Sequence, residues 1–362
     1  MVENGYRYAI SLYREDWTPL GQVPADADWE PAAECVRFDG IRRGRIQPGG
    51  SKVAVTVEPL WHATAGEPCV ERIRVRATET GGGQAECELS TAYFARDARL
   101  ASAQLVAQGG LKPGELFHYL VSAHPDGSSA DDQSAPAIRV DTVVPPLPLR
   151  EASLDDYMQR SASFFRANGG QIPVFFPRRV LEETADLARR AGALETGGVL
   201  IGHLWRDLSI PEIFLEVTGQ TPFKQARSEL TSLTLTPDTW SAANAAIALR
   251  KRGEVMVGWW HSHSFMKQQK CKDCQERAAG SCDVSPAFMS AEDCYLHRTC
   301  FPRAYSVALV VGDSPCSGLS WALFSWQAGV VGPRGFHILA APGSGAAMEA
   351  IPAVGGTQDA TN

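Results

Sequence analysis

The 362-residue sequence has no long apolar run, no excess of positive charge and no internal repeat. No stretch approaches the roughly 20 apolar residues that a membrane-spanning helix needs. Lys and Arg number 34 against 41 Asp and Glu, a formal net charge of -7 with a pI near 5.7, which offers no basic footprint for phosphate backbones. Residues 1–16 lack the basic start and continuous apolar segment of a secretory signal. The expectation is a cytoplasmic protein with neither nucleic acid nor membrane as partner. An even set of cysteines is also missing, because nine cannot form a fully paired disulfide framework. Cys35, Cys69 and Cys87 are scattered, whereas Cys271, Cys274, Cys282, Cys294, Cys300 and Cys316 crowd into one region. In a reducing compartment such crowding points to metal binding or chemistry rather than to disulfides.

What is present has ordinary globular character, with 44% hydrophobic and 21% charged residues, in a chain long enough to split into two domains. Residues 52–57, 71–78, 86–94 and 116–123 read as short strands separated by Gly, Pro and Asp. Arg72, Arg74 and Arg76 alternate with Ile73, Val75 and Ala77, which predicts one solvated and one buried face, as in an antiparallel sheet or sandwich. The proline-rich stretch Val143-Val144-Pro145-Pro146-Leu147-Pro148 stiffens a linker. We therefore divide the chain into a β-rich N-terminal domain over 1–150, a linker helix within 151–170 (residues 153–167), a second domain over 171–340, and a flexible Ala- and Gly-rich tail over 341–362.

From Val174 onward the periodicity changes. Val180, Leu181, Thr184, Leu187 and Ala188 share a helical face after Pro177, and the run Gly197-Gly198-Val199-Leu200-Ile201-Gly202 and residues 213–218 read as core strands. Thr236-Pro237 opens a helix bearing Trp240, Ala243 and Ile247, which should end at Gly253. Residues 254–260 form an apolar strand running into His261-Ser262-His263, and 304–312 and 319–326 continue the sheet. The second domain is thus α/β in pattern.

His261 and His263, separated by one residue, can project toward one ion. Imidazole suits zinc, and a catalytic zinc site needs a third protein ligand and an open position for water. Asp293 is the choice for that ligand, with Glu292 its competitor. Glu195 is then the general base, taking a proton from water and delivering it to the leaving amine. Ser290 donates a hydrogen bond to the developing oxyanion. Each residue also has a plainer explanation: His-x-His is commonly a pair of surface or core histidines, Ser290-x-x-Asp293 has the form of a capping box, and Glu195 precedes a strand as any solvated residue might. One of Trp259 and Trp260 is expected in the core and the other lining the cleft.

Taken together, the three segments resemble the JAMM metalloproteases (also called MPN+ or JAB), whose pattern is Glu, then His-Ser/Thr-His, then Ser-x-x-Asp. Leu194-Glu195-Thr196-Gly197-Gly198-Val199-Leu200-Ile201-Gly202 is similar to the glutamate segment, Val257-Gly258-Trp259-Trp260-His261-Ser262-His263 to the histidine segment, and Ala287-Phe288-Met289-Ser290-Ala291-Glu292-Asp293 to the third. The resemblance covers roughly residues 172–335. It implies an α+β fold with a JAB/MPN-type mixed, curved sheet flanked by helices. It implies a zinc-dependent peptidase or isopeptidase of deubiquitinase type, cutting after the C-terminal glycine of a ubiquitin-like protein. The partners implied are that protein, its conjugates, and the activating and conjugating enzymes of such systems, with the first domain recruiting substrate. Alternatives are a peptidase that processes a sulfur-carrier protein, and a non-enzymatic scaffold of the same fold.

One departure is an insertion. Between His263 and Ser290 the family's spacing is much shorter, whereas residues 264–289 here hold Cys271-x-x-Cys274 and Cys282. That spacing suits a second, structural zinc, with Cys294 as fourth ligand and Cys300, His297 and Asp283 as alternatives. A redox pair is the competing use of Cys-x-x-Cys. A zinc nucleobase deaminase is excluded, because it needs His-x-Glu and a proline before the first cysteine, where this chain has His261-Ser262-His263 and Lys270.

Overall fold

The computed structural model describes residues 2–49, 52–126, 146–164, 170–192, 194–223, 237–263, 287–314 and 318–340. The chain divides into two compact units, Met1–Pro146 with Ala328–Val330, and Leu147–Gln327 with Val331–Asn362. It is a mixed α+β protein with large curved sheets and six helices among the described residues. None of these helices is long and apolar enough to cross a membrane.

The first unit contains β1 (Val2–Asn4), β2 (Tyr6–Arg14), β3 (Pro19–Ala25), α1 (Glu30–Arg42), β4 (Val53–His62), β5 (Gly66–Glu79), β6 (Gln84–Ser90), α2 (Ala95–Ala107) and β7 (Phe117–Pro125). Its sheet runs β1-β4-β5-β7-β2-β3, with β6 on β5. The alternation in β5 sorts its side chains by face: Ile73, Val75 and Ala77 are buried, while Arg72 and Arg74 pair with Glu88 and Arg76 with Glu86 across the β5–β6 register. Neither α1 nor α2 stands out in the sequence pattern. α1 buries Ala32, Ala33 and Val36 in the core formed with the sheet, so tertiary packing rather than a strong apolar stripe stabilises it.

The second unit contains β8 (Leu149–Glu151), α3 (Leu154–Gln159), β9 (Ser161–Phe164), β10 (Val174–Pro177), α4 (Arg178–Ala191), β11 (Gly197–Asp207), β12 (Glu212–Pro222), α5 (Pro237–Arg250), β13 (Val255–His263), α6 (Ala291–Cys300), β14 (Val307–Ser314), β15 (Gly318–Gln327), β16 (Val330–Arg334) and β17 (Phe336–Leu339). Its ten-stranded sheet runs β16-β15-β14-β13-β11-β12-β10-β17-β9, with β8 joined to β11. The helix expected over 153–167 is a correction. Ser153 caps α3 by accepting from the Asp156 amide, but the helix stops at Gln159 and the chain becomes β9, antiparallel to β17. Sheet pairing overrides local helical preference there. The tail over 341–362 lies outside the described residues.

β11 and β13 are buried on both faces over most of their length, which explains why they read as apolar runs rather than alternating ones. α4 buries Val180, Leu181, Thr184, Ala185 and Ala188, and α5 places Ala243 and Ile247 against Val199 and Ile201 of β11. α5 ends at Arg250, and Lys251 (φ 51°) and Gly253 (φ 66°) then turn the chain toward β13.

Candidate metal centre

β13 lies between β11, its antiparallel neighbour, and β14, its parallel neighbour, and the pairing with β14 continues to His263, opposite Gly312. His261 and His263 therefore leave the strand on one face by ordinary pleating. Gly197 faces His261 across the β11 register. A Cβ on Gly197 would sit 2.5 Å from the Trp260 carbonyl oxygen and 2.8 Å from the Phe223 ring, so the backbone approach of β11 to β13 requires glycine there. Just before it, the Ser262 amide donates to the Thr196 carbonyl (2.8 Å) and the Thr196 amide donates to Ser262 Oγ (3.2 Å). This clamp holds the residue preceding Thr196, Glu195, beside the histidines.

The third segment arrives on α6. Ser290 is its N-cap, and a full capping box forms: the Asp293 amide donates to Ser290 Oγ (3.1 Å) and the Ser290 amide donates to Asp293 Oδ2 (2.8 Å). The capping geometry expected as the plainer explanation is therefore present, and it aims the same Oδ2 at the histidines. His261 Nε2 and His263 Nε2 lie 3.0 Å apart, and Asp293 Oδ2 lies 3.3 Å from the first and 3.6 Å from the second. Among the described residues, His261, His263 and Asp293 are the group whose donor atoms could hold a metal ion, all within 4.8 Å of one another. Glu292 shows no such convergence.

These atoms fit a tetrahedral ion. Ligands at roughly 2.0–2.1 Å from zinc stand about 3.3 Å apart along a tetrahedron's edge, and the observed separations bracket that value. Burial lowers the pKa of the fully buried His261, while Asp293 works in the opposite direction. For Asp293, burial alone would raise the pKa, but hydrogen bonds from His261 and His263, the electrostatic pull of His261 and the Ser290 amide outweigh it and hold the carboxyl well below the usual range. Lone pairs brought this close repel unless a proton or cation sits among them. Glu195 is half-buried. Burial pushes its carboxyl up, as does the charge of Asp293, while His263 works in the opposite direction. Phe288, 39% exposed, lies against His263 with ring centroids 4.6 Å apart.

The expected split between the tryptophans is corrected, because Trp259 and Trp260 are both fully buried. Trp260 Nε1 donates to Gln220 Oε1 (3.2 Å). Trp259 stacks on His261, with centroids 4.6 Å apart and planes 13° from parallel, and its Nε1 donates to His297 Nδ1 (3.0 Å). His297, an alternative ligand for the cysteine site, is instead fully buried beside Phe301 and Trp326, and burial lowers its pKa to about 3. The signal for this pairing was in the sequence, since His297 falls one turn after Asp293, but nothing there showed that it would meet Trp259. Cys271, Cys274, Cys282 and Asp283 lie outside the described residues, while Cys294 and Cys300 sit half-buried on α6.

No protein-family model and no curated protein matches the chain. Among solved structures, it is similar to a solution structure of a Desulfitobacterium hafniense protein, at 21% identity and a TM-score of 0.32, over 46% of this chain and 92% of that one. It is also similar to a solution structure of a Salinibacter ruber protein, at 18% identity and a TM-score of 0.28, over 50% of this chain and 99% of that one. Similarities this low define neither fold nor function.

Proposed function

We propose that the second unit is a zinc-dependent peptidase of the JAMM type, with a JAB/MPN-like fold, that cleaves after the C-terminal glycine of a ubiquitin-like protein. The observation that carries this reading is the convergence of two imidazole nitrogens and one carboxylate oxygen at tetrahedral spacing, with Glu195 close enough to feel the charge of His263 and Asp293. His261, His263 and Asp293 would hold the zinc, which when bound acidifies water and polarises a carbonyl.

The remaining chemistry belongs to the chain. Glu195, whose carboxyl pKa burial raises above its ordinary value, is suited to accept the proton of the attacking water and return it to the leaving amine. In capping α6, Ser290 Oγ acts as an acceptor, which leaves its hydroxyl proton to donate to the oxyanion that develops on the scissile carbonyl. Phe288 supplies an apolar wall beside His263. The β-rich first unit is assigned substrate recruitment, and activating and conjugating enzymes are the companions this chemistry implies.

The test is incubation of the zinc-loaded chain with a linear ubiquitin-like fusion and with a Lys-linked conjugate of the same protein. Cleavage after the terminal glycine, lost with chelator and in Glu195→Gln, is expected. The preferred substrate separates precursor processing, including that of a sulfur carrier, from deconjugation. A zinc-bound chain that turns over neither substrate would overturn the enzymatic reading in favour of a scaffold.

A further inference from the structure

A histidine that binds a metal through one ring nitrogen ordinarily has its other N–H tied to a carboxylate, carbonyl or water, and that bond sets the ring's orientation. His261 does not follow this pattern. Its Nδ1 is buried and has no hydrogen-bond partner among the described residues. What lies against the ring is Trp259, stacked at 4.6 Å and nearly parallel, and Trp259 is in turn fixed by the bond from its Nε1 to His297 Nδ1. Because Nδ1 accepts, the His297 proton sits on Nε2, which also has no partner among the described residues. The ring can therefore serve Trp259 as an acceptor only in this one tautomer.

The connectivity gives this bond more than a packing role. Trp259 is on β13, the strand that carries His261 and His263. His297 is on α6, four residues after Asp293. The Trp259–His297 bond thus ties together the two elements that supply the three converging donor atoms. Trp259, Phe301 and Ala308 form one apolar cluster around it, so the bond is made where water cannot compete for it.

We infer that Trp259 and His297 form a buried positioning pair that sets the His261 ring, and the spacing between β13 and α6, for metal binding. The inference rests on the metal-site reading above. The pair takes the place of the missing hydrogen bond on His261 Nδ1, with a stacked indole as the intermediary.

The experiment measures zinc affinity of the full chain by competition with a chromogenic chelator, and the visible spectrum of the cobalt-substituted protein. Wild type is compared with Trp259→Phe, His297→Leu and His297→Gln. Trp259→Phe keeps the stacked ring but loses the donor, and His297→Gln offers an amide oxygen as a replacement acceptor. Trp259→Phe and His297→Leu should each weaken zinc binding by about 10–100-fold, the scale seen when a metal ligand's outer partner is removed, and alter the cobalt band. His297→Gln should recover part of the loss, and the double variant should be little worse than either single one.

A purely structural role would lower the unfolding midpoint of the metal-free protein and leave affinity and spectrum unchanged in the folded fraction. That result in Trp259→Phe, the milder change, overturns the inference even if His297→Leu does not fold. A wild-type chain that binds no zinc overturns the metal-site reading itself, and this inference with it.

Discussion

Thr196 and Ser262 hold each other by two hydrogen bonds, one from the Ser262 amide to the Thr196 carbonyl and one from the Thr196 amide to Ser262 Oγ. The middle residue of His-Ser-His thus points away from its neighbours and secures the segment that bears Glu195. A motif that reads as two ligands and a spacer contains a third working part.

Ser262→Ala should therefore act on both stability and the proposed turnover. It leaves the Thr196 amide without its acceptor beside a buried strand, which costs about 1–3 kcal/mol. Denaturant unfolding should show that loss. Hydrolysis should fall while zinc affinity stays within a few-fold of wild type, because no donor atom is touched.

Glu195→Gln tests the base. The variant keeps the shape and removes the proton acceptor, so a fall of about 10²–10⁴-fold in rate is expected with zinc still bound. Cleavage that persists at the wild-type rate would remove Glu195 from the reaction.

Asp293 has two separable duties. Asp293→Ala removes the side-chain arm of the capping box as well as the oxygen facing the histidines, so the metal-free protein should lose about 1 kcal/mol. Asp293→Asn retains an oxygen for the Ser290 amide and should leave the metal-free stability closer to wild type. Zinc at a hundredfold excess over its Kd should stabilise wild type by about 2.7 kcal/mol and neither variant by as much. Equal stabilisation of all three by zinc would place the metal elsewhere.

His297 makes stability depend on pH in a definite direction. Its folded pKa, about 3, lies below the ordinary histidine value. The unfolded chain therefore binds the extra proton first, and stability is lost as pH falls from about 6.5 toward 3, at up to about 1.4 kcal/mol per pH unit. Metal-free wild type and His297→Gln, unfolded in denaturant across that range, should differ by this slope. Parallel pH dependences would show that the group is not buried as described.

Gly258 adopts φ 155°, and a Cβ there would sit 1.9 Å from the Val307 carbonyl oxygen on β14. Gly258→Ala should thus separate β13 from β14 and destabilise the chain by roughly 3 kcal/mol or more, among the large single-residue effects. Soluble yield and thermal unfolding measure this.

The strands and helices with strong local patterns were legible in the sequence. Arg72, Arg74 and Arg76 alternate with apolar residues because β5 has one solvated face, and the apolar runs of β11 and β13 reflect burial on both faces. The segment after Ser153 reads as one helix, whereas its short capped helix gives way to a strand whose partner, β17, lies far along the chain. α1 and α2 leave no clear periodicity in the sequence, because packing against the rest of their unit rather than a regular apolar stripe stabilises them.

Local spacing alone picks out the candidate side chains: two histidines at strand spacing, a serine and an aspartate at capping distance, and a glutamate shortly before a pair of glycines. That the donor atoms of His261, His263 and Asp293 meet is a matter of packing, because it depends on β13 and α6 converging from segments far apart in the chain. Packing also decides that Trp259 and His297 join. Local spacing specifies what a residue can reach within its own element, whereas contacts between elements are set by the packing of the whole core.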